Sequence, residues 1–402
     1  MSWIFRALRT LLRRIRRPAV SEYEKYEEMR EFGPVIHQGG SMYVIGYQEA
    51  KLILGDSKRF VKDINNTLPL EQRPLHADQS TDMFSLLYNN MLAKDGADHT
   101  RLRRLVSRAF TKRQIDSLTP RIQQIADELI DDFQADGEAD LIDVFAFPLP
   151  IIVICELLGV PIEDRNKFKD WSHAFLGIAD DEFSYFQLLT EFVQYIGRMI
   201  ALRRAEPKDD LISALVHAEE EGEQLTEQEL YSMIALLIVA GHETTVNLIG
   251  NGMAALLQNR EQLELLQKQP ELIENAVEEF LRYEGPVEFT TTRYAAEDVQ
   301  VGDTLIKRRT PVTIILAAAN RDPAAFENPI KLDVTRDAQQ HLGFSYGVHF
   351  CVGAPLARLE AKIAFSTLLS RLPNIQLRAP HRQLVYNEGS IVHGLKALPV
   401  TW

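Results

Sequence analysis

The stretch Ser232–Gly252, SMIALLIVAGHETTVNLIGNG, constrains the fold more than any other part of the 402-residue chain. Met233–Ala240 is apolar on every face of a helix, so that helix has to run through the protein interior. The apolar run itself is too short to span a bilayer. Gly241, His242, Glu243, Thr244 and Thr245 then break it. Burying a carboxylate and two hydroxyls costs on the order of several kcal/mol unless they are paired or wetted. Glycine weakens a helix by roughly 1 kcal/mol relative to alanine. Two readings account for the break. One is a kinked core helix whose threonines bond back to carbonyls; the other is a polar notch that leaves room beside the helix for a small molecule.

The surrounding sequence is dominated by helical spacing, at Ser117–Phe133, Val144–Leu158, Phe183–Arg204, Thr226–Leu257 and Pro270–Tyr283. Strand-like alternation is confined to short pieces such as Ser41–Ile45, Val299–Val301 and Pro311–Leu316. The expected class is mainly α with small β-sheets. No linker composition or repeat divides the chain, so residues 19–402 read as a single domain behind a separate segment, 1–18. The irregular run from Asn320 to Gly347 is too long for an ordinary connection and reads as a loop organised by what it wraps.

Segment 1–18, MSWIFRALRTLLRRIRRP, holds six arginines and no acid; leaving those six out takes the net charge from −13 to −19. Ile4, Leu8, Leu11 and Ile15 recur at helical spacing. The segment reads either as a basic amphipathic helix on an anionic membrane surface or partner, through residues 1–17, or as a poorly ordered leader. It lacks the apolar core and small-residue cleavage site of a secretory signal. Two cysteines in 402 residues argue for a reducing compartment. The expected location is therefore cytoplasmic, with peripheral membrane contact as the further reading of the leader. The acidic total argues against nucleic acid.

Cys351 lies in FSYGVHFCVGAPLARLE, with Gly347 four residues before it and Gly353 two after. Ala354–Ser366 reads as a helix, so the sulfur precedes a helix N-terminus, where N–H groups and the helix dipole favour negative charge. The glycines permit close backbone approach. Such a cysteine is suited to act as a thiolate, either nucleophile or metal ligand. Zinc would need further ligands, and neither a CxxC nor clustered histidines are present. A cysteine hydrolase would need a histidine base and an orienting group. Haem iron needs one thiolate and no second protein ligand.

Phe344-x-x-Gly347-x-x-x-Cys351-x-Gly353 resembles the haem-binding signature of the cytochromes P450, and HLGFSYGVHFCVGAPLARLE is similar to the soluble bacterial class. Ala240-Gly241-His242-Glu243-Thr244 resembles the family's oxygen-activation motif, and Glu279-Phe280-Leu281-Arg282 its ExxR motif. Ala319–Pro323 and Asp98–Thr111 also match, in the family's order. The likeness runs from about Gly33 to the C-terminus. It implies the cytochrome P450 fold, with haem b (iron protoporphyrin IX) bound through Cys351 and lying beside Ala240. The propionates would be met by His99, Arg103, Arg293 and His349. Glu279, Arg282 and Arg336 would form a structural network, and Gly241 would open space for dioxygen. Glu243 and Thr244 would supply protons during oxygen activation, which favours O2 and two electrons over a peroxide-driven or desaturating enzyme of the same fold. Ser345 stands where the family most often has glycine. His242 reads either as a hydrogen-bonded helix residue or as a group tuning Glu243.

No flavin, nicotinamide or iron–sulfur motif is present. The resemblance therefore implies a separate ferredoxin or flavodoxin with an NAD(P)H-dependent reductase. A cationic helix face bearing Arg101, Arg104, Arg108, Lys112 and Arg113 would steer such an acidic partner. The implied activity is a monooxygenase inserting one atom of O2 into a hydrophobic small molecule: a polyketide or macrolide, a fatty acyl chain or a steroid-like compound. Its pocket would be drawn from Phe84, Leu87, Phe175, Leu176, Val287, Phe289 and Ile391, with Glu288 as the polar exception. A haem-thiolate sensor without turnover is the non-enzymatic alternative.

Overall fold

Thr226 caps the long central helix of the computed structural model, Glu227–Gln258, through a reciprocal bond with Glu229, and 32 residues follow without interruption. The structure describes residues 22–73, 82–107, 110–176, 182–220, 223–378, 383–387 and 391–402; the leader and Arg108 lie outside them. The helix is long and apolar enough to cross a membrane by length alone, but its flanks are buried in protein. The polar notch does not break it: Thr244 Oγ1 donates to Ala240 O at 2.9 Å, the threonine back-bond, and the helix runs on. It packs against helices Met83–Tyr88, Pro148–Leu158, Arg165–Phe175, Ile273–Tyr283 and Ala354–Arg371.

Two large apolar clusters flank this axis. One joins Ile122, Phe145, Leu248, Phe280 and Phe365; the other joins Leu87, Leu102, Trp171, Phe192 and Leu237. The run expected as one helix over Val144–Leu158 is divided. Pro148 and Pro150 lack the N–H groups that a helix continuing from Val144 would bond to the carbonyls of Val144 and Ala146. Ile142–Ala146 therefore forms a wide turn closed by Phe147 N–H to Ile142 O at 2.9 Å, and the α-helix begins at Pro148.

The β-structure is small. Val35–Gln38 and Ser41–Val44 pair antiparallel, Pro311–Ile314 joins Ser41–Val44 in parallel, and Arg293–Ala295 and then Phe60–Val61 complete a five-stranded sheet. This sheet fixes Arg293 opposite Val312. Asn320–Gly347 is irregular but closely held. Asn320 Oδ1 accepts from Leu342 N–H at 2.7 Å, and Asp322 Oδ2 accepts from Tyr47 N–H at 2.8 Å.

Candidate haem-thiolate site

The cysteine loop is built by backbone contacts. Cys351 N–H donates to Phe344 O at 3.0 Å, and Phe350 N–H to Gly347 O at 3.0 Å, closing one turn over Gly347–His349. Gly347 has φ +75°, and a Cβ there would lie 2.6 Å from Leu54 O, so only glycine lets the loop lie against helix Tyr47–Gly55. Ser345 has φ +65° in the left-handed region, a conformation that costs an L-residue about 1–2 kcal/mol. Ser345→Gly is expected to raise stability by about 0.5–1 kcal/mol, the relieved strain less the extra unfolded-state entropy. Thermal unfolding would read this as a higher Tm.

Cys351 is open on one side. The protein around its other sides pushes the thiol up. The N–H groups of Gly353 and Ala354 and the guanidiniums of Arg103 and Arg358 pull towards the anion without outweighing that burial. The site thus favours a thiolate once a cation binds it, which is the setting of a metal ligand rather than of a free nucleophile.

Beside it, basic side chains from distant segments are gathered. Burial, then His99, Arg293, Lys62 and Arg103, drops His349 to about 2. Burial brings Arg293 down to about 10. It also lowers His99, with Arg103 adding to it, and pushes Lys62 well below its ordinary value. The His99 and His349 rings lie 4.3 Å apart. His99 Nε2 and His349 Nδ1 are buried with no hydrogen-bond partner in the protein. Asp95, the acid recorded against this group, is already engaged by the N–H groups of Lys62 and Asp63 and by Asn66 Nδ2 at 2.8–3.0 Å. The two unpartnered imidazole nitrogens and the two guanidiniums would fit the propionates of a haem. The four propionate partners expected from the sequence converge here. The sheet also brings Lys62 beside Arg293, where its ammonium is held by Thr291 O, Thr291 Oγ1 and Thr292 O.

Two neighbouring carboxylates on helix Ile273–Tyr283 hold the loop from behind. Glu279 takes both Arg282 Nε and Nη2 at 2.7 Å, Arg336 Nε at 3.3 Å and Asp333 N–H at 3.0 Å. Arg282 also donates to the carbonyls of Asn320, Pro329 and Lys331. Glu279 and Arg282 are wholly buried, and Arg336 completes the triad as expected. Glu278 forms a second clamp. Arg358 donates to it at 2.6 and 2.8 Å, and His341 Nε2 lies 3.0 Å away. These bonds outweigh burial and hold the Glu278 carboxyl down at about 2. The Arg358 guanidinium lies 4.6 Å from the centroid of Phe344. Glu278, His341 and Arg358 form a clamp on the cysteine loop that the motif reading passed over. The last two stand inside the quoted signature stretch, where a charged residue facing the ExxR helix was the available signal.

On the central helix, Ala240 is exposed, and Gly241 and Thr244 are half-exposed amid buried neighbours, so the notch opens on one face. Gly241 does a different job from the one expected: a Cβ there would meet Ile154 Cδ1 at 2.9 Å, so the glycine admits the neighbouring helix. Glu243 points inward. Burial pushes its carboxyl up to about 7, against the pull of Lys169 and of the nearby Asn247 amide. His242 is wholly buried, and its Nδ1 lies 2.7 Å from Ile238 O.

The expected pocket residues divide. Phe84 stacks with Tyr88 and meets Phe186 edge-on, while Phe175 stacks on Tyr88 at 4.7 Å, so these aromatics line up with Leu176 between the helices. Val287 bridges to Val392, and Ile391 packs near Phe289. Three expectations need correction. Leu87 is wholly buried in the core and offers a ligand no surface. Phe289 is withdrawn into a cluster with Tyr26, Tyr43 and Ile315. Glu288 accepts from Tyr26 Oη at 2.8 Å and faces the first described helix rather than a substrate. The cationic face is also narrower than expected: Arg101 is paired with Glu229 and Lys112 with Asp116.

A cytochrome P450 family model matches residues 181–374. The polyketide biosynthesis cytochrome P450 PksS of Bacillus subtilis (strain 168) is 45% identical, covering 93% of this chain and 91% of its own. Cytochrome P450 monooxygenase PikC of Streptomyces venezuelae is 44% identical, covering 96% and 92%. Among solved structures, a myxobacterial cytochrome P450 in complex with myristic acid has a TM-score of 0.85 at 41% identity, covering 94% of this chain and 96% of that one.

Proposed function

This chain belongs to the cytochrome P450 family and is a monooxygenase, and we propose that Cys351 would hold the iron of a haem b, with His99, Arg103, Arg293 and His349 meeting its propionates. The observation that carries the assignment is the meeting of Arg103, Arg293 and two buried imidazoles with unpartnered nitrogens beside a half-open sulfur. When bound, haem supplies the chemistry of dioxygen reduction and insertion, in which two electrons and two protons send one oxygen atom into a C–H bond and the other into water.

The chain's own residues hold the group, shape its surroundings and move protons. The N–H groups of Gly353 and Ala354 favour the Cys351 anion. Glu243, with a carboxyl near 7, can both take up and release a proton at physiological pH. The Thr244 hydroxyl, on the open face of the notch, would turn from Ala240 O to pass a proton into the space beside the helix. Retention of this acid–alcohol pair supports O2 with two electrons over added peroxide. The substrate is a hydrophobic small molecule of polyketide, fatty acyl or steroid-like kind, held against Phe84, Phe175, Leu176, Val287 and Ile391. Electrons come from a ferredoxin or flavodoxin with an NAD(P)H-dependent reductase, meeting the exposed Arg104 and Arg113. The low cysteine count supports a cytoplasmic setting for one domain over residues 19–402.

Turnover of myristic acid, as first probe, should require NADPH with a ferredoxin and its reductase. In the same assay Thr244→Ala should lower product by about 10²-fold, the low end of what a positioned proton-transfer group contributes. Dioxygen should continue to be consumed and return as peroxide. Turnover supported by added peroxide alone, at equal rate in both proteins, would refute the O2-dependent assignment.

A further inference from the structure

Glu243 is buried, so a proton it gives up has to be replaced through the protein. Its two carboxylate oxygens are flanked by imidazoles. His242 Nε2 stands 3.6 Å from Oε2, and His173 Nε2 stands 3.9 Å from Oε1. The two histidines differ in access. His242 is wholly enclosed, its Nε2 has no hydrogen-bond partner, and burial drops it to about 4, so it stays neutral and passes nothing to water. The His173 side chain is 28% exposed, on the helix Arg165–Phe175 that packs over the notch.

The other groups facing Glu243 leave this route in place. Asn247, on its own helix, lies beside it and is neutral. Lys169, one turn before His173, attracts the carboxylate from a distance, lies over the Phe147 ring and is paired with Asp143 at 3.4 Å. Helix Met83–Tyr88 carries no charged residue, and Glu156 of helix Pro148–Leu158 is bound to Arg121. A lysine that stays protonated can tune Glu243 but cannot shuttle; an imidazole can do both at neutral pH.

We infer that His173 is the proton entry of this enzyme, receiving protons from solvent and passing them to Glu243, with His242 as a neutral wall that keeps the carboxyl from a second exit. The inference rests on the role proposed above for Glu243. A gap of 3.9 Å is closed by a small side-chain rotation or by one bridging water. The transfer balances simply: an imidazolium N–H is lost as a carboxyl O–H forms, and the neutral ring is reprotonated from bulk water. Nothing is oxidised or reduced in the relay.

The test uses the haem-loaded full chain and His173→Gln, which keeps size and polarity but cannot titrate. Infrared difference spectroscopy would follow the protonated carboxyl of Glu243, identified by its absence in Glu243→Gln. Without the nearby imidazolium its midpoint should move to higher pH. NADPH-driven dioxygen consumption through a ferredoxin and its reductase, without added substrate, should fall by about tenfold, less than the 10²–10⁴ of a group that reacts directly. Its solvent isotope effect should rise. An unmoved carboxyl midpoint would overturn the inference. So would a fall in rate with an unchanged isotope effect, which marks a structural loss, or a shifted midpoint with wild-type rate, which marks electrostatics without transfer. If Glu243→Gln itself left the rate unchanged, the proposed role of Glu243 would fail instead, and the two failures are distinguishable.

Discussion

Arg282→Ala is expected to yield a protein that neither retains haem nor unfolds cooperatively near physiological temperature. The side chain is wholly buried and serves two oxygens of Glu279 and three carbonyls of the Asn320–Gly347 loop. Its removal leaves Glu279 in the interior with Arg336, at 3.3 Å, as the remaining side-chain cation. Breaking a buried pair by deleting one partner costs roughly 3–5 kcal/mol. That is a large share of a stability of about 5–15 kcal/mol. The damage is directed as well as large, because the loop that Arg282 ties down leads straight into Phe344 and Cys351. Haem-to-protein ratio and denaturant midpoint should therefore fall together. Arg282→Lys separates charge from geometry: it keeps the cation but loses the fork that reaches Glu279 and the carbonyls at once. It should lie between wild type and alanine. A variant with alanine here that holds haem in full would show that the loop is fixed by its own packing.

What could be read from the sequence follows the range of the physics involved. The central helix was legible because an all-round apolar run admits only an interior position, and its polar notch was legible because burying Glu243 and Thr244 needs a reason. The ExxR pair was legible as a three-residue step on one helix face, and the cysteine loop through its glycines. What escaped was set by contacts between distant segments. Lys62 reaches Arg293 through strand pairing, and His173 reaches Glu243 through the crossing of two helices. Glu278 looked like any surface acid until Arg358 and His341 closed on it. Leu87 and Phe289 erred the other way: apolar character marks core and pocket alike, and burial alone tells them apart. Gly241 shows the same ambiguity for glycine, since room for a ligand and room for Ile154 have one sequence signature.

Cys351→Ser is expected to abolish the far-red-displaced absorption maximum that the dithionite-reduced, carbon monoxide-treated protein should give, and with it monooxygenase turnover. The replacement is nearly isosteric, and the side chain is open on one side, so the fold has little reason to change. The Cys351 N–H to Phe344 O bond belongs to the backbone and survives. The chemistry changes far more than the shape. A thiol ionises near pH 8.5 and can be brought to the thiolate by a bound metal, whereas an aliphatic hydroxyl remains protonated across the working range. The Gly353 and Ala354 N–H groups and the Arg103 and Arg358 guanidiniums would then face a neutral oxygen. The residues proposed to meet the propionates, His99, Arg103, Arg293 and His349, are untouched by the change, so the pigment should still associate, more weakly and with an altered spectrum. That division of labour makes the variant informative: retained colour without the displaced band assigns the grip to the cations and the electronic character to the sulfur. A serine variant with the wild-type band and wild-type turnover would remove Cys351 from the centre of the site.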